Sequence, residues 1–80
     1  MKRTILRIKA VKNESGLSRS TIYLRIKEGL WTKRVLLGPR AVGWPSDEVE
    51  AINEARIAGK SDAEIRELVV KLESARNILK

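Results

Sequence analysis

The chain lacks cysteine, histidine and phenylalanine, and its 80 residues include only two prolines, one methionine and one tyrosine. Without Cys and His it cannot build a disulfide scaffold, a zinc finger, a Cys/His nucleophilic pair or an imidazole acid–base catalyst. No stretch approaches the ~20 apolar residues needed to span a bilayer. Arg7 and Lys9 also interrupt any signal-peptide core. The lack of Cys fits a reducing compartment, so the expectation is a cytoplasmic protein with no membrane partner. One small domain fits this length. A chain this short buries roughly 60–65% of its unfolded surface. Such a thin core leaves little room for an enclosed substrate site, so no enzyme activity and no cofactor are expected.

Hydrophobic residues make up 42% of the chain and charged residues 34%, a globular balance. The net charge is +7, and it is segregated. Residues 1–45 hold eleven Lys/Arg against Glu14 and Glu28, a local charge of +9. Residues 46–80 hold six basic and eight acidic residues, a local charge of −2. Solubility alone does not require segregation. A strongly basic half points to a polyanion, either nucleic acid or an anionic membrane surface. Two carboxylates in that half provide neither a metal cluster nor an acid–base pair.

Residues 2–8 read as extended or as the start of a first helix. Residues 9–13 are a short helical candidate, with Ile8 and Val11 on one face and Gly16 as its stop. A second helix is expected over 18–28, with Ser18 as N-cap, Ile22 and Ile26 on its core side and Gly29 as its end. Two short helices joined by a tight Gly-containing turn form a helix-turn-helix pattern, which an ordinary helical hairpin shares. Val35-Leu36-Leu37 and Ala41-Val42-Gly43-Trp44 flank the turn residues Gly38-Pro39-Arg40 and predict a hairpin. A lone hairpin is marginal in water, so Trp31 and Trp44 are its expected anchors on the helices. A third helix begins at Pro45-Ser46-Asp47-Glu48, capped by Ser46 or by an Asp47/Glu50 pair, with Val49, Ile52 and either Arg56 or Ile57 on its face. Ser61 and Glu64 form a capping box for a final helix over 62–79. Its apolar stripe is Ile65, Leu68, Val69, Leu72, Ala75 and Leu79.

On a helical wheel Ser20, Tyr23, Leu24 and Lys27 look away from Ile22. Short hydroxyls at a helix N-terminus suit phosphate, Tyr can donate to a phosphate oxygen, and Leu24 suits a thymine methyl or an ordinary exposed position. Arg19 has the reach for a guanine edge or for a carboxylate. Arg40 at the hairpin tip suits a minor groove or a backbone. Lys33 and Arg34 suit flanking phosphates. The candidate DNA-binding set is therefore Ser18, Arg19, Ser20, Thr21, Tyr23, Leu24, Lys27, Lys33, Arg34 and Arg40.

The segments Gly16-Leu17-Ser18-Arg19-Ser20-Thr21-Ile22-Tyr23, Ile26-Lys27-Glu28-Gly29, Leu37-Gly38-Pro39-Arg40-Ala41-Val42-Gly43-Trp44 and Ser46-Asp47-Glu48-Val49-Glu50-Ala51 together resemble the AlpA family of prophage-type transcriptional regulators. They are more distantly similar to MerR-like and excisionase-like winged helices. The resemblance implies a fold that is mostly α with a small β-hairpin wing, a winged helix-turn-helix over residues 1–58. The C-terminal helix over 61–80 is then a dimerisation surface or a strut in the same compact unit. It also implies a double-stranded DNA partner and transcriptional regulation in a phage or mobile element. Residues 18–23 match the start of the recognition helix, 38–40 the wing turn and Trp44 the aromatic that ends the wing strand. The Leu24-Arg25 order departs from the family's usual Arg-then-apolar order after the Tyr.

The leading expectation is a sequence-specific DNA-binding regulator. An excisionase-like DNA-bending factor and a basic protein-interaction module are the alternatives. A homodimer would use Ile65, Leu68, Val69 and Leu72.

Overall fold

The computed structural model describes residues 4–78 in the order β1 (Ile5–Leu6), α1 (Ile8–Ser15), α2 (Arg19–Lys27), β2 (Val35–Gly38), β3 (Ala41–Pro45), α3 (Ser46–Ile57) and α4 (Asp62–Ile78). Lys2, Arg3 and Leu79, which entered the charge and stripe readings, lie outside the described residues. The fold is mostly helical with a small antiparallel sheet, a winged helix-turn-helix with an additional C-terminal helix.

Local chemistry sets most element ends. Gly16 closes α1 in the left-handed region at φ 72°, and its N–H donates to the Lys12 carbonyl at 2.9 Å. A side chain there would find open space, so the requirement for glycine is purely conformational. Ser18 caps α2 by accepting from the Thr21 N–H at 3.2 Å. At α4 the expected capping box is complete: the Ser61 hydroxyl accepts from the Glu64 N–H at 3.2 Å, and Glu64 Oε1 accepts from the Ser61 N–H at 3.0 Å.

The start of α3 differs from expectation. Pro45 occupies the N-cap position and no side chain caps the helix. Ser46 instead pairs with the N-terminal segment, its N–H donating to the Thr4 carbonyl at 2.7 Å. Asp47 and Glu48 still lie in the first turn, where carboxylates favour the helix dipole.

The expected hairpin is part of a three-stranded sheet of order β1-β3-β2. β1 pairs Ile5 with Pro45 and Leu6 with Trp44, so the chain start covers the edge of β3 that a hairpin would leave open. Gly43 makes this approach possible. A Cβ there would lie 2.5 Å from Ile5 Cγ2 and 2.9 Å from the Leu6 carbonyl oxygen.

The core combines Val11, Ile22, Leu30, Trp31, Trp44, Val49, Ile52, Ile65 and Val69. Both tryptophans are the buried anchors expected. Trp44 is fully buried, and its indole N–H donates to the Thr32 carbonyl at 3.0 Å. On α3 the inward face continues through Arg56, whereas Ile57 is 86% exposed.

Part of the α4 stripe lies in the chain's own core. Ile65 and Val69 are buried there, and Leu68 and Leu72 pack against it.

Candidate nucleic-acid interface

The N-terminus of α2 is built around three hydroxyls. Ser18 Oγ donates to Thr21 Oγ1 at 2.9 Å and lies 3.3 Å from Ser20 Oγ. Ser18 and Thr21 thus bond to each other and form the cap, while the Ser20 side chain is exposed. The first-turn N–H groups beyond the cap have no intrahelical acceptor, which leaves partial positive charge at this end.

Four residues join α2 to the sheet. The Arg19 guanidinium carbon sits 5.6 Å from the centre of the Tyr23 ring, within cation–π range. The Tyr23 ring meets Trp44 edge-on, with centroids 6.2 Å apart and planes at 70°. Trp44 in turn bonds Thr32 in the connection to β2. Tyr23 is therefore half-buried, where the wheel placed it opposite the core. It rests on Trp44 because position 23 falls between the two faces of a short helix.

Leu24 is 53% exposed and Lys27 is exposed, both as expected. Lys33, Arg34 and Arg40 are exposed along the wing and its turn. An open groove of about 430 Å³ runs between α2 and β2, lined by Tyr23, Ile26, Lys33, Arg34 and Leu36. Its α2 wall is the half-buried pair Tyr23 and Ile26, and its other wall is the start of the wing; Arg40 lies beyond it at the hairpin tip. Sequence reasoning passed over Leu36, which is 70% exposed, and Leu37, at 45%. Their place in a β-compatible run was legible, but how much of each the helices leave uncovered was not.

The exposed cations of α2 and the wing are uncompensated. Among the described residues the ion pairs are Arg56–Asp62 at 3.2 Å, Lys60–Glu64 at 3.8 Å and Arg76–Glu48 at 2.5 Å. None of them engages Arg19, Lys27, Lys33, Arg34 or Arg40. Among the described residues no cluster of acidic side chains could hold a metal ion, and no helix is long and apolar enough to cross a membrane.

The profile of the family described as "Prophage CP4-57 regulatory protein (AlpA)" matches residues 4–57, from the start of β1 to the end of α3. The chain belongs to the AlpA family. It is also similar to "Uncharacterized protein ORF88" of Enterobacteria phage P4, with 46% identity over 55 residues. That match covers 69% of this chain and 62% of the phage protein's length. No solved structure matches. The AlpA family match ends before α4 begins, so the final helix is outside the shared segment.

Proposed function

We propose that this AlpA-family chain is a sequence-specific regulator that binds double-stranded DNA in a phage or mobile element and acts on the nucleoid of its host. The recognition helix α2 enters the major groove, and the wing from β2 to β3 lies on the flanking backbone or minor groove. Residues 1–58 form the DNA-binding unit, with α4 bracing it.

The observation that carries this reading is the set of exposed cations on α2 and the wing. Unpaired, exposed Arg19, Lys27, Lys33, Arg34 and Arg40 stand on α2 and the wing, and the groove between these elements is open. Within the reading, Ser20 and the capped N-terminus of α2, held by Ser18 and Thr21, approach a phosphate. Arg19 reads a guanine edge, steadied by the Tyr23 ring, and Leu24 touches a thymine methyl. Tyr23 and Lys27 reach phosphates beside α2, while Lys33, Arg34 and Arg40 hold the backbone beside the wing.

The test is selection of bound duplexes from a random pool at two salt concentrations. The expected result is one enriched motif and an affinity that falls steeply with salt, each neutralised phosphate adding about 0.9 to the slope. Arg19→Ala should weaken the selected site by roughly 1–3 kcal/mol more than random DNA. Arg40→Ala should lower the slope by about one contact. No enrichment together with salt-independent binding would overturn the reading. A large bend in the selected duplex would assign the chain instead to excisionase-like architecture.

A further inference from the structure

The connection between the recognition helix and the wing, residues 28–33, is held by a helix from the far end of the chain. Arg66 Nε donates to the Glu28 carbonyl at 2.9 Å, and its stem passes over Gly29. One residue farther up the chain is held from both sides. The Lys33 N–H donates to Glu73 Oε2 at 2.7 Å, and the Lys33 carbonyl accepts from Arg76 Nη2 at 2.8 Å. Arg76 is itself fixed by two bonds, at 2.7 and 2.5 Å, to Glu48, a buried residue in the first turn of α3. All of these bonds have a charged partner, the stronger class of hydrogen bond.

The spacing gives this a geometric consequence. Arg66 and Glu73 are two helical turns apart, about 10.5 Å along α4. A five-residue stretch of free chain can extend to about 17 Å. By gripping it at Glu28 and Lys33, a rigid helix sets how far the wing begins from the end of α2. Lys33 and Arg34, the first cations of the wing, inherit their starting positions from that grip. The Arg66, Glu73 and Arg76 positions all lie beyond the segment that matches the family, so this device belongs to the part of the chain outside it.

We propose that α4 is the positioning element of the DNA interface, with Arg66, Glu73 and Arg76 clamping the α2–β2 connection so that the wing and the recognition helix meet one duplex in register. This rests on the DNA-binding reading above. It assigns α4 a role in affinity and site geometry in addition to its share of the core.

Glu73→Ala in the full chain is the informative variant, because alanine preserves helix propensity and position 73 contributes no side chain to the core. Arg76→Ala would remove the guanidinium that pairs with a buried carboxylate and threaten folding. The first measurement needs no DNA. Amide exchange at Lys33 should accelerate at least about tenfold, as expected for a lost native hydrogen bond, while amides of α1 and α3 keep their protection. Glu73→Gln, which retains an acceptor, should restore most of the protection.

The second measurement is affinity for the selected duplex. Removing a negative charge from α4 by itself favours DNA, so Glu67→Ala, an exposed change on the same helix, reports the field effect alone. Positioning predicts the opposite sign, with Glu73→Ala binding about tenfold more weakly than Glu67→Ala. That loss should vanish when Lys33, Arg34 and Arg40 are already alanine, since no wing contact then remains to be placed. Unchanged Lys33 exchange would show that the clamp is absent. Accelerated exchange with affinity equal to that of Glu67→Ala would show a clamp that positions nothing; either result overturns the proposal. If the unaltered chain fails to bind any duplex, the DNA reading falls and the role of α4 falls with it. The exchange data then still report separately whether the clamp exists.

Discussion

Trp31 and Trp44 were legible as anchors because large aromatics in a chain with so few must serve the core. What separates them is a single hydrogen bond supplied by the fold. Trp44 donates to the carbonyl of Thr32, a residue with no exposed surface, whereas the Trp31 indole nitrogen is buried without a partner. No local pattern announces this, since the accepting carbonyl is twelve positions away and arrives only when β3 packs. Trp44→Phe removes the donor and leaves a buried carbonyl unsatisfied, which costs about 1–3 kcal/mol beyond lost packing. Trp31→Phe removes a donor that had no acceptor and loses volume alone. Thermal melts should therefore place Trp44→Phe below Trp31→Phe by about 4–8 °C for each kcal/mol of difference. Equal melting temperatures would mean that the Thr32 bond adds nothing to stability.

At the scale of elements, what was readable depended on how local the cause is. The stop at Gly16, the Ser18 cap and the Ser61/Glu64 box each need only a few neighbouring residues, and all three stand where the sequence put them. β1 is two residues long and exists because Gly43 lets Ile5 and Leu6 approach β3, so residues 2–8 alone could only suggest extension or helix. The capping box also carries a pH dependence. The Glu64 carboxyl is held below its usual range, first by the Ser61 backbone N–H, then by the Ser61 hydroxyl, then by the Lys60 charge. A carboxyl lowered in the folded state stabilises fully above its unfolded pKa and loses that contribution as pH falls through the folded value. Melting of the parent chain and of Glu64→Gln should therefore differ at neutral pH, with the parent the more stable. The gap should close on acidification to well below the carboxylate range. A gap that persists there would trace the effect to packing.

For the whole molecule, the charge segregation of the sequence reappears in which described cations are ion-paired. The basic half supplies α2 and the wing with cations free of ion pairs, while the acidic half pairs its own, as Arg56–Asp62, Lys60–Glu64 and Arg76–Glu48 show. The apolar stripe of α4 was equally visible, but a stripe does not say whose core it covers, and a second copy was as good a candidate as the chain itself. Burial places two of its residues in the chain's own core: Ile65 has no exposed surface and Val69 only 4%. An interior this small cannot lose both. Ile65→Ala alone should cost about 2–5 kcal/mol, against a total stability of about 5–15 kcal/mol for a typical domain. Cutting the chain after residue 60 removes the entire stripe together with the Arg66, Glu73 and Arg76 contacts. The truncated chain should therefore show no cooperative thermal transition, even though it retains the whole segment matched by the family. Leu68→Lys with Leu72→Lys, in the full-length chain, should lower the melting temperature without changing the sedimentation coefficient of the folded species. A drop from dimer to monomer at unchanged melting temperature would instead make the stripe an interface between copies, and a cooperative melt of the truncated chain would make α4 dispensable to the fold.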